Sequence, residues 1–223
     1  MANNLKIVLL ALMALLVGCS SDTDQQTGES GFEYRDGIDF QTLARPVATD
    51  DPTKIELAEI YWYGCIHCYN FEPYLKEFVA DLPEDVNLVK VPVAWNATAE
   101  LHAKIYYAAE ALGITDEIHD EVFVAMNKDK KPLASEEAIL NLIEDLGQNK
   151  TAFQRAFNSF GVSSQVTQAK SRATAYGVRG TPELFVNGKY RIASTMAGSQ
   201  PRMLLVAEAL IQRERELLQS QQQ

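Results

Sequence analysis

Residues 55–63, Ile-Glu-Leu-Ala-Glu-Ile-Tyr-Trp-Tyr, are β-branched and aromatic, with apolar residues on both faces. After one glycine they run into Cys65-Ile66-His67-Cys68 and then into a stretch of helical spacing. A strand apolar on both faces has to be covered on both sides, which puts it inside a sheet flanked by helices. Phe71, Leu75, Phe78 and Val79 recur at helical spacing and predict a helix over residues 66–81, with a kink expected at Pro73. Residues 86–93 read as the next strand, so the default is a parallel pair joined by a right-handed crossover. The two cysteines fall at the strand-to-helix junction.

The remaining elements narrow the fold further. Residues 40–43 predict a short edge strand, and from 97 to 176 the pattern is helical. Leu101, Ile105, Ala108, Ala109 and Leu112 form one stripe that Gly113 stops. Ser135 caps a stripe of Ile139, Leu142, Ile143 and Leu146 that ends at Gly147. Phe153, Ala156, Phe157 and Phe160 predict a short helix before Gly161, and Val166, Ala169, Ala173 and Tyr176 another up to Gly177. Strand signal returns at 183–186, where Asn187-Gly188 marks a tight hairpin into residues 189–192. A last helix opens at Ser199 with Pro201 in its first turn and a stripe of Met203, Val206, Ala207, Leu210, Ile211, Leu217 and Leu218. The order is β-α-β, a helical block, then β-β-α. With the block removed, this is the order of the thioredoxin fold. The class is α/β: residues 34–96 and 177–218 form a thioredoxin-like domain, 97–176 an inserted all-helical domain, and 219–223 a frayed tail.

The N-terminus reads as an export signal. Lys6 precedes an apolar run over 7–17 that is short for a membrane span. Leu16-Val17-Gly18-Cys19 resembles the lipobox of bacterial lipoproteins, which implies cleavage after residue 18 and lipid attachment at Cys19. Residues 19–33 then form the acylated cysteine and a polar tether of about 20 Å r.m.s. span. Ser20, where an aspartate would signal retention, favours the outer membrane over the inner. With 20 Lys+Arg against 30 Asp+Glu, the net charge of −10 excludes a basic surface for nucleic acid.

The chain has three cysteines. With Cys19 assigned to lipid, Cys65 and Cys68 remain. A bridge closing so small a loop constrains the unfolded chain little, so the pair is no structural staple. At a helix N-terminus, free backbone N–H groups and the helix dipole favour a thiolate at Cys65, and His67 adds a donor or a positive charge beside it. Cys68, one turn further in, is expected to be more buried and closer to an ordinary thiol. Cys65 is then the attacked and attacking sulfur, and Cys68 the resolving one. A zinc site needs four ligands, and beyond the two thiols the chain offers His67, His102 and His119 with no second close pair. Haem attachment needs a histidine where Tyr69 stands. A two-thiolate copper(I) carrier remains open at this level. Glu59, an acid in an apolar strand, and Lys90, mid-strand in 86–93, are candidates for a buried pair.

GCIHCYNFEP (64–73), GVRGTPELFVNGKY (177–190) and YRDGIDFQTLARPV (34–47) together resemble the DsbA-like thiol:disulfide oxidoreductases of the bacterial periplasm. The resemblance covers residues 34 to about 211. It implies that Cys65 is the nucleophile, Cys68 its partner and His67 the residue stabilising the Cys65 thiolate. It implies a cis-proline at Pro182 packed on the cysteines, with Thr181 offering backbone hydrogen bonds to an extended peptide. It implies a Glu59–Lys90 pair that manages protons as Cys68 titrates. Two positions depart from the best-known members: Ile66 replaces a proline, and Thr181 a valine. The activity implied is that of a monomeric, membrane-tethered periplasmic dithiol oxidase acting on reduced exported proteins, reoxidised by a DsbB-like membrane protein, with no bound cofactor or metal. Its alternatives are a reductase or isomerase using the same site, a copper or zinc metallochaperone, and a lipoprotein that only holds peptides beside Pro182.

Overall fold

The structure, a computed structural model, describes residues 34–220. The expected signal peptide, Cys19, the whole tether and residues 221–223 of the expected tail lie outside the described residues. Five strands form one mixed sheet: β1 (Gln41–Thr42), β2 (Ile55–Tyr61), β3 (Val86–Pro92), β4 (Glu183–Val186) and β5 (Tyr190–Ala193), in the order β1-β5-β4-β2-β3. β2 and β3 are parallel, joined through α1 (Ile66–Ala80), while β4 runs antiparallel to β2 and β5 to β4. All seven residues of β2 are buried. From Ile55 to Ile60 the apolar residues divide between two cores, as a period of two requires. Ile55 and Leu57 pack with Phe71 and Leu75 of α1 and with Met203 and Leu210 of α8 (Gln200–Ser220). Ala58 and Ile60 pack with the helical block on the other face.

That block comprises α2 (Ala97–Leu112), α3 (Thr115–Asn127), α4 (Glu136–Asp145), α5 (Lys150–Phe157) and α6 (Phe160–Tyr176). Its punctuation is mostly local. The Asn96, Ser135, Asn149 and Ser159 side chains each accept a backbone N–H from the first turn they precede. Gly113 and Gly177 end α2 and α6 in the left-handed conformation. The hairpin at Asn187-Gly188 has positive φ at both residues, as a tight two-residue turn demands.

Four details differ from the sequence reading. Phe160 does not close the Phe153–Phe157 stripe: Ser159 starts a new helix there, leaving Phe160 88% exposed and Gly161 inside the first turn of α6. Leu217 faces solvent instead of joining the α8 stripe. Gln219 and Ser220, assigned to a frayed tail, continue α8. A four-residue helix, α7 (Ser194–Ala197), precedes α8 and has too few residues to show a period.

Candidate active site

Cys65 is the N-cap residue of α1, with φ −94° and ψ 114°, so the chain leaves β2 extended and turns helical at the next residue. Its N–H donates to the Trp62 carbonyl at 2.9 Å, and its own carbonyl takes the Tyr69 N–H at 3.0 Å. The Cys65 sulfur is partly exposed, whereas Cys68 lies one turn on and is fully buried; both are free thiols. Thr181 closes the third side. Its carbonyl lies 3.3 Å from the Cys65 Sγ, and the Thr181–Pro182 bond is cis.

These contacts separate the two sulfurs electrostatically. The Cys68 thiol donates to the Cys65 sulfur, which is the largest effect on it. Burial opposes ionisation, but the Thr181 side chain and the backbone N–H groups of Cys68 and His67 add further donors, and the Cys65 pKa is lowered to about 5. Burial pushes the Cys68 thiol well up, reinforced by its hydrogen bond to Cys65 and by the charges of Cys65 and Glu59. The arrangement holds an anion on the accessible sulfur and a proton on the hidden one.

A cleft of about 870 Å³ runs beside the pair, lined by His67, Arg179, Thr181, Pro182, Arg191 and Met196 among others. His67 is exposed at its wall, and its carbonyl accepts from the Gln200 amide at 2.6 Å. Arg191 forms a buried ion pair with Glu183 that stiffens the floor where β4 and β5 meet. Ile66, between the cysteines, is 44% exposed.

Glu59 and Lys90 are register partners across β2 and β3, and Lys90 Nζ lies 2.6 Å from Glu59 Oε2. The pair is part of a larger cluster. Lys90 Nζ also meets Glu72 Oε1 at 2.7 Å, His119 Nε2 lies 3.3 Å from that same oxygen, and the Tyr63 hydroxyl lies 2.7 Å from His119 Nδ1. Burial raises the Glu59 pKa, to about 7, against the pull of Lys90. Burial also opposes charge on Glu72, but the hydrogen bond from His119 and the hydrogen bond and charge of Lys90 outweigh it, and the Glu72 pKa is lowered. Sequence reasoning missed Glu72 and His119. The signal for Glu72 was present: it stands four residues after Cys68 and three before Leu75, on the buried stripe of α1. His119 carried a similar signal, three residues before Val122 and four before Phe123 on the buried face of α3, but nothing local paired it with Glu72.

Among the described residues, no group of three or more His, Cys, Asp or Glu is arranged to hold a metal ion. No helix among them is long and apolar enough to cross a membrane.

The DSBA-like thioredoxin domain family model matches residues 72–210. The thiol:disulfide interchange protein DsbA of Pseudomonas aeruginosa is 35% identical over 212 residues, covering 95% of this chain and 97% of that protein. The chain belongs to the DsbA-like family. A DsbA of Azotobacter vinelandii is 38% identical over 208 residues, covering 92% of this chain and 97% of its own. The crystal structure of Pseudomonas aeruginosa DsbA superposes with a TM-score of 0.81 at 36% identity, over 83% of this chain and 97% of that one. The fold is that of a DsbA-like thioredoxin protein, and the chain is a protein thiol:disulfide oxidoreductase. The family model begins after the CxxC, so the roles of Cys65 and Cys68 rest on the geometry above.

Proposed function

We propose that Cys65 and Cys68 are the redox pair and that the protein works as a dithiol oxidase for exported proteins. The observation that carries this reading is the asymmetry of the two sulfurs at the α1 N-terminus: a partly exposed Cys65 held as thiolate and a buried Cys68 held as thiol. Starting from the oxidised enzyme, a substrate thiolate attacks Cys65 Sγ. The Cys65–Cys68 bond breaks, a mixed disulfide forms, and Cys68 departs with the electron pair and takes a proton. A second substrate thiolate then attacks the substrate sulfur of the mixed disulfide. The substrate leaves with a new disulfide, and Cys65 leaves as its stable thiolate. Two electrons have moved from substrate to enzyme. A low-pKa Cys65 favours the reduced enzyme and hence the oxidising direction.

The cleft beside Thr181 and Pro182 receives the substrate as an extended segment, with the Thr181 backbone as partner. His67, whose backbone N–H is among the donors to Cys65, is the residue assigned to stabilise the thiolate. Glu59 and Lys90 manage the proton that Cys68 gains. A DsbB-like membrane protein returns the pair to the disulfide, with no bound cofactor on this chain. The enzyme acts in the periplasm as a monomer, tethered through lipid on Cys19 with the outer membrane favoured.

Oxidative refolding of a reduced test protein, with wild type, Cys65→Ser and Thr181→Val, tests the direction. The oxidase reading expects wild type to accelerate disulfide formation and Cys65→Ser to abolish the effect. A strongly reducing potential against glutathione would move the assignment to a reductase or isomerase. Stoichiometric copper(I) retention without disulfide transfer would move it to a metallochaperone.

A further inference from the structure

Two buried carboxylates, Glu59 and Glu72, lie on the ammonium of Lys90, at 2.6 Å and 2.7 Å. With both acids ionised the cluster carries one excess negative charge on two buried carboxylates, beside a lysine of which only the edge opens to a surface cleft, and burial makes that charge expensive. One proton on the pair removes it, and the surroundings decide which acid holds it. The two differ. Glu72 Oε1 accepts from Lys90 and also faces His119 Nε2. Glu59 Oε2 has Lys90 alone, and each acid leaves one buried oxygen, Glu59 Oε1 and Glu72 Oε2, without a hydrogen-bond partner among the described residues, so the contact with His119 is what separates them.

His119 itself is oriented from behind. Tyr63 is fully buried, and burial keeps its phenol protonated, so its hydroxyl is available to donate to Nδ1 at 2.7 Å. An imidazole accepting at Nδ1 carries its hydrogen on Nε2, aimed at Glu72. Burial also holds the ring neutral. We propose that His119 is a positioning residue for the exchange reaction: its Nε2–H, fixed by the Tyr63 hydroxyl, keeps the cluster's negative charge on Glu72 and leaves the shared proton on Glu59. This deepens the reading of Cys65 and Cys68 as the redox pair and rests on it.

The consequence falls on Cys68. An ionised Glu59 opposes a thiolate there, whereas a protonated one does not. The thiolate must form when substrate attacks Cys65, so moving the proton from Glu59 to Glu72 slows that step. The groups facing Glu59 are Lys90 from β3, Glu72 and Cys68 from α1, Tyr61 from its own strand and Tyr63 just beyond it. Those facing His119 are Glu72, Lys90, Tyr63, Asp120, Tyr61 from β2 and Tyr106 from α2.

The test compares His119→Leu, which removes the donor, with His119→Gln, whose amide keeps an N–H near the ε position. The readout is the pH profile of attack by a dithiol peptide on the oxidised protein. His119→Leu is expected to slow the reaction about tenfold at pH 7, the effect of one pKa unit on Cys68, and to shift the profile. His119→Gln is expected to restore both. Equal losses in the two variants, or an unshifted profile in His119→Leu, overturn the proposal, since a packing role alone would produce them. Ring-nitrogen NMR of the reduced wild type gives a check independent of folding in the variants and of catalysis. An Nε2–H tautomer with a neutral ring supports the assignment, and an Nδ1–H tautomer overturns it. Failure of the redox-pair reading shows separately, as loss of all exchange with the expected tautomer intact.

Discussion

Replacing Cys68 with alanine in the reduced protein isolates the largest effect on the Cys65 sulfur. In the wild type that sulfur titrates at about 5, and the hydrogen bond from Cys68 leads the groups that lower it, ahead of the Thr181 side chain and the backbone N–H groups. A hydrogen bond to a charged acceptor is worth about 1.5–3 kcal/mol, and one pKa unit corresponds to about 1.4 kcal/mol. Partial exposure of Cys65 leaves water to replace some of what is lost, so the lower end applies. Cys68→Ala should therefore raise the Cys65 midpoint by about one unit, read from thiolate absorbance or alkylation rate against pH. The same anion predicts how stability depends on pH. The folded pKa lies below that of the unfolded thiol, so the stabilisation is fully present above the unfolded value and is lost as pH falls through about 5. The reduced form should gain stability over the oxidised form as pH rises from about 5 to about 9, with a slope of at most about 1.4 kcal/mol per pH unit. The oxidised form carries no such thiolate. An unmoved midpoint in Cys68→Ala, or a wild-type midpoint in the range of a free thiol, refutes the reasoning.

Lys90→Met leaves Glu59 and Glu72 without their cation and should cost about 3–5 kcal/mol in denaturant unfolding. Adding Glu59→Leu to that variant should recover a measurable part of the loss. Trp62 donates from Nε1 to His102 Nδ1 at 2.9 Å, and burial lowers the His102 pKa. The neutral-ring contribution is thus present above the unfolded pKa and lost as pH falls through the folded value. Acidification to below that value should change Trp62 fluorescence in a Trp95→Phe background. Gly188→Ala should destabilise the hairpin by about 1–3 kcal/mol. Its Cβ would lie 1.9 Å from the Val47 carbonyl oxygen at φ +67°, and a thermal midpoint within a degree of wild type would refute that.

What was legible in the chain was whatever is written locally. Asn187-Gly188, Gly113, Ser135 and the two-faced apolar strand before Cys65 each state their conformation within a few residues, and each forms as expected. Phe160 misled because helical spacing continues across a cap: Phe153, Phe157 and Phe160 satisfy one period, and only the Ser159 side chain bonding to the Val162 N–H divides them. At the site, the Glu59–Lys90 pair could be anticipated because both residues interrupt apolar strands. The place of His119 in the cluster could not, because its spacing to Val122 and Phe123 marks a buried position while its meeting with Glu72 depends on α3 packing against α1, a tertiary contact.

That hidden part bears on why the cluster is there. Replacing a buried ion pair with apolar residues of similar volume is often neutral or stabilising, so charge inside the sheet is weak evidence of a stability role. The start of β2 shows the alternative, since the two preceding positions on the same face, Ile55 and Leu57, are aliphatic and pack against α1 and α8. Glu59 occupies the next position on that face and faces a lysine, a second acid and, through that acid, an oriented imidazole. A fold that needed only a filled core would have no use for this arrangement six residues before a reactive cysteine. A fold that must let Cys68 become an anion for the duration of one exchange step needs a buried charge whose location is controlled, and the Tyr63–His119–Glu72 chain provides that control.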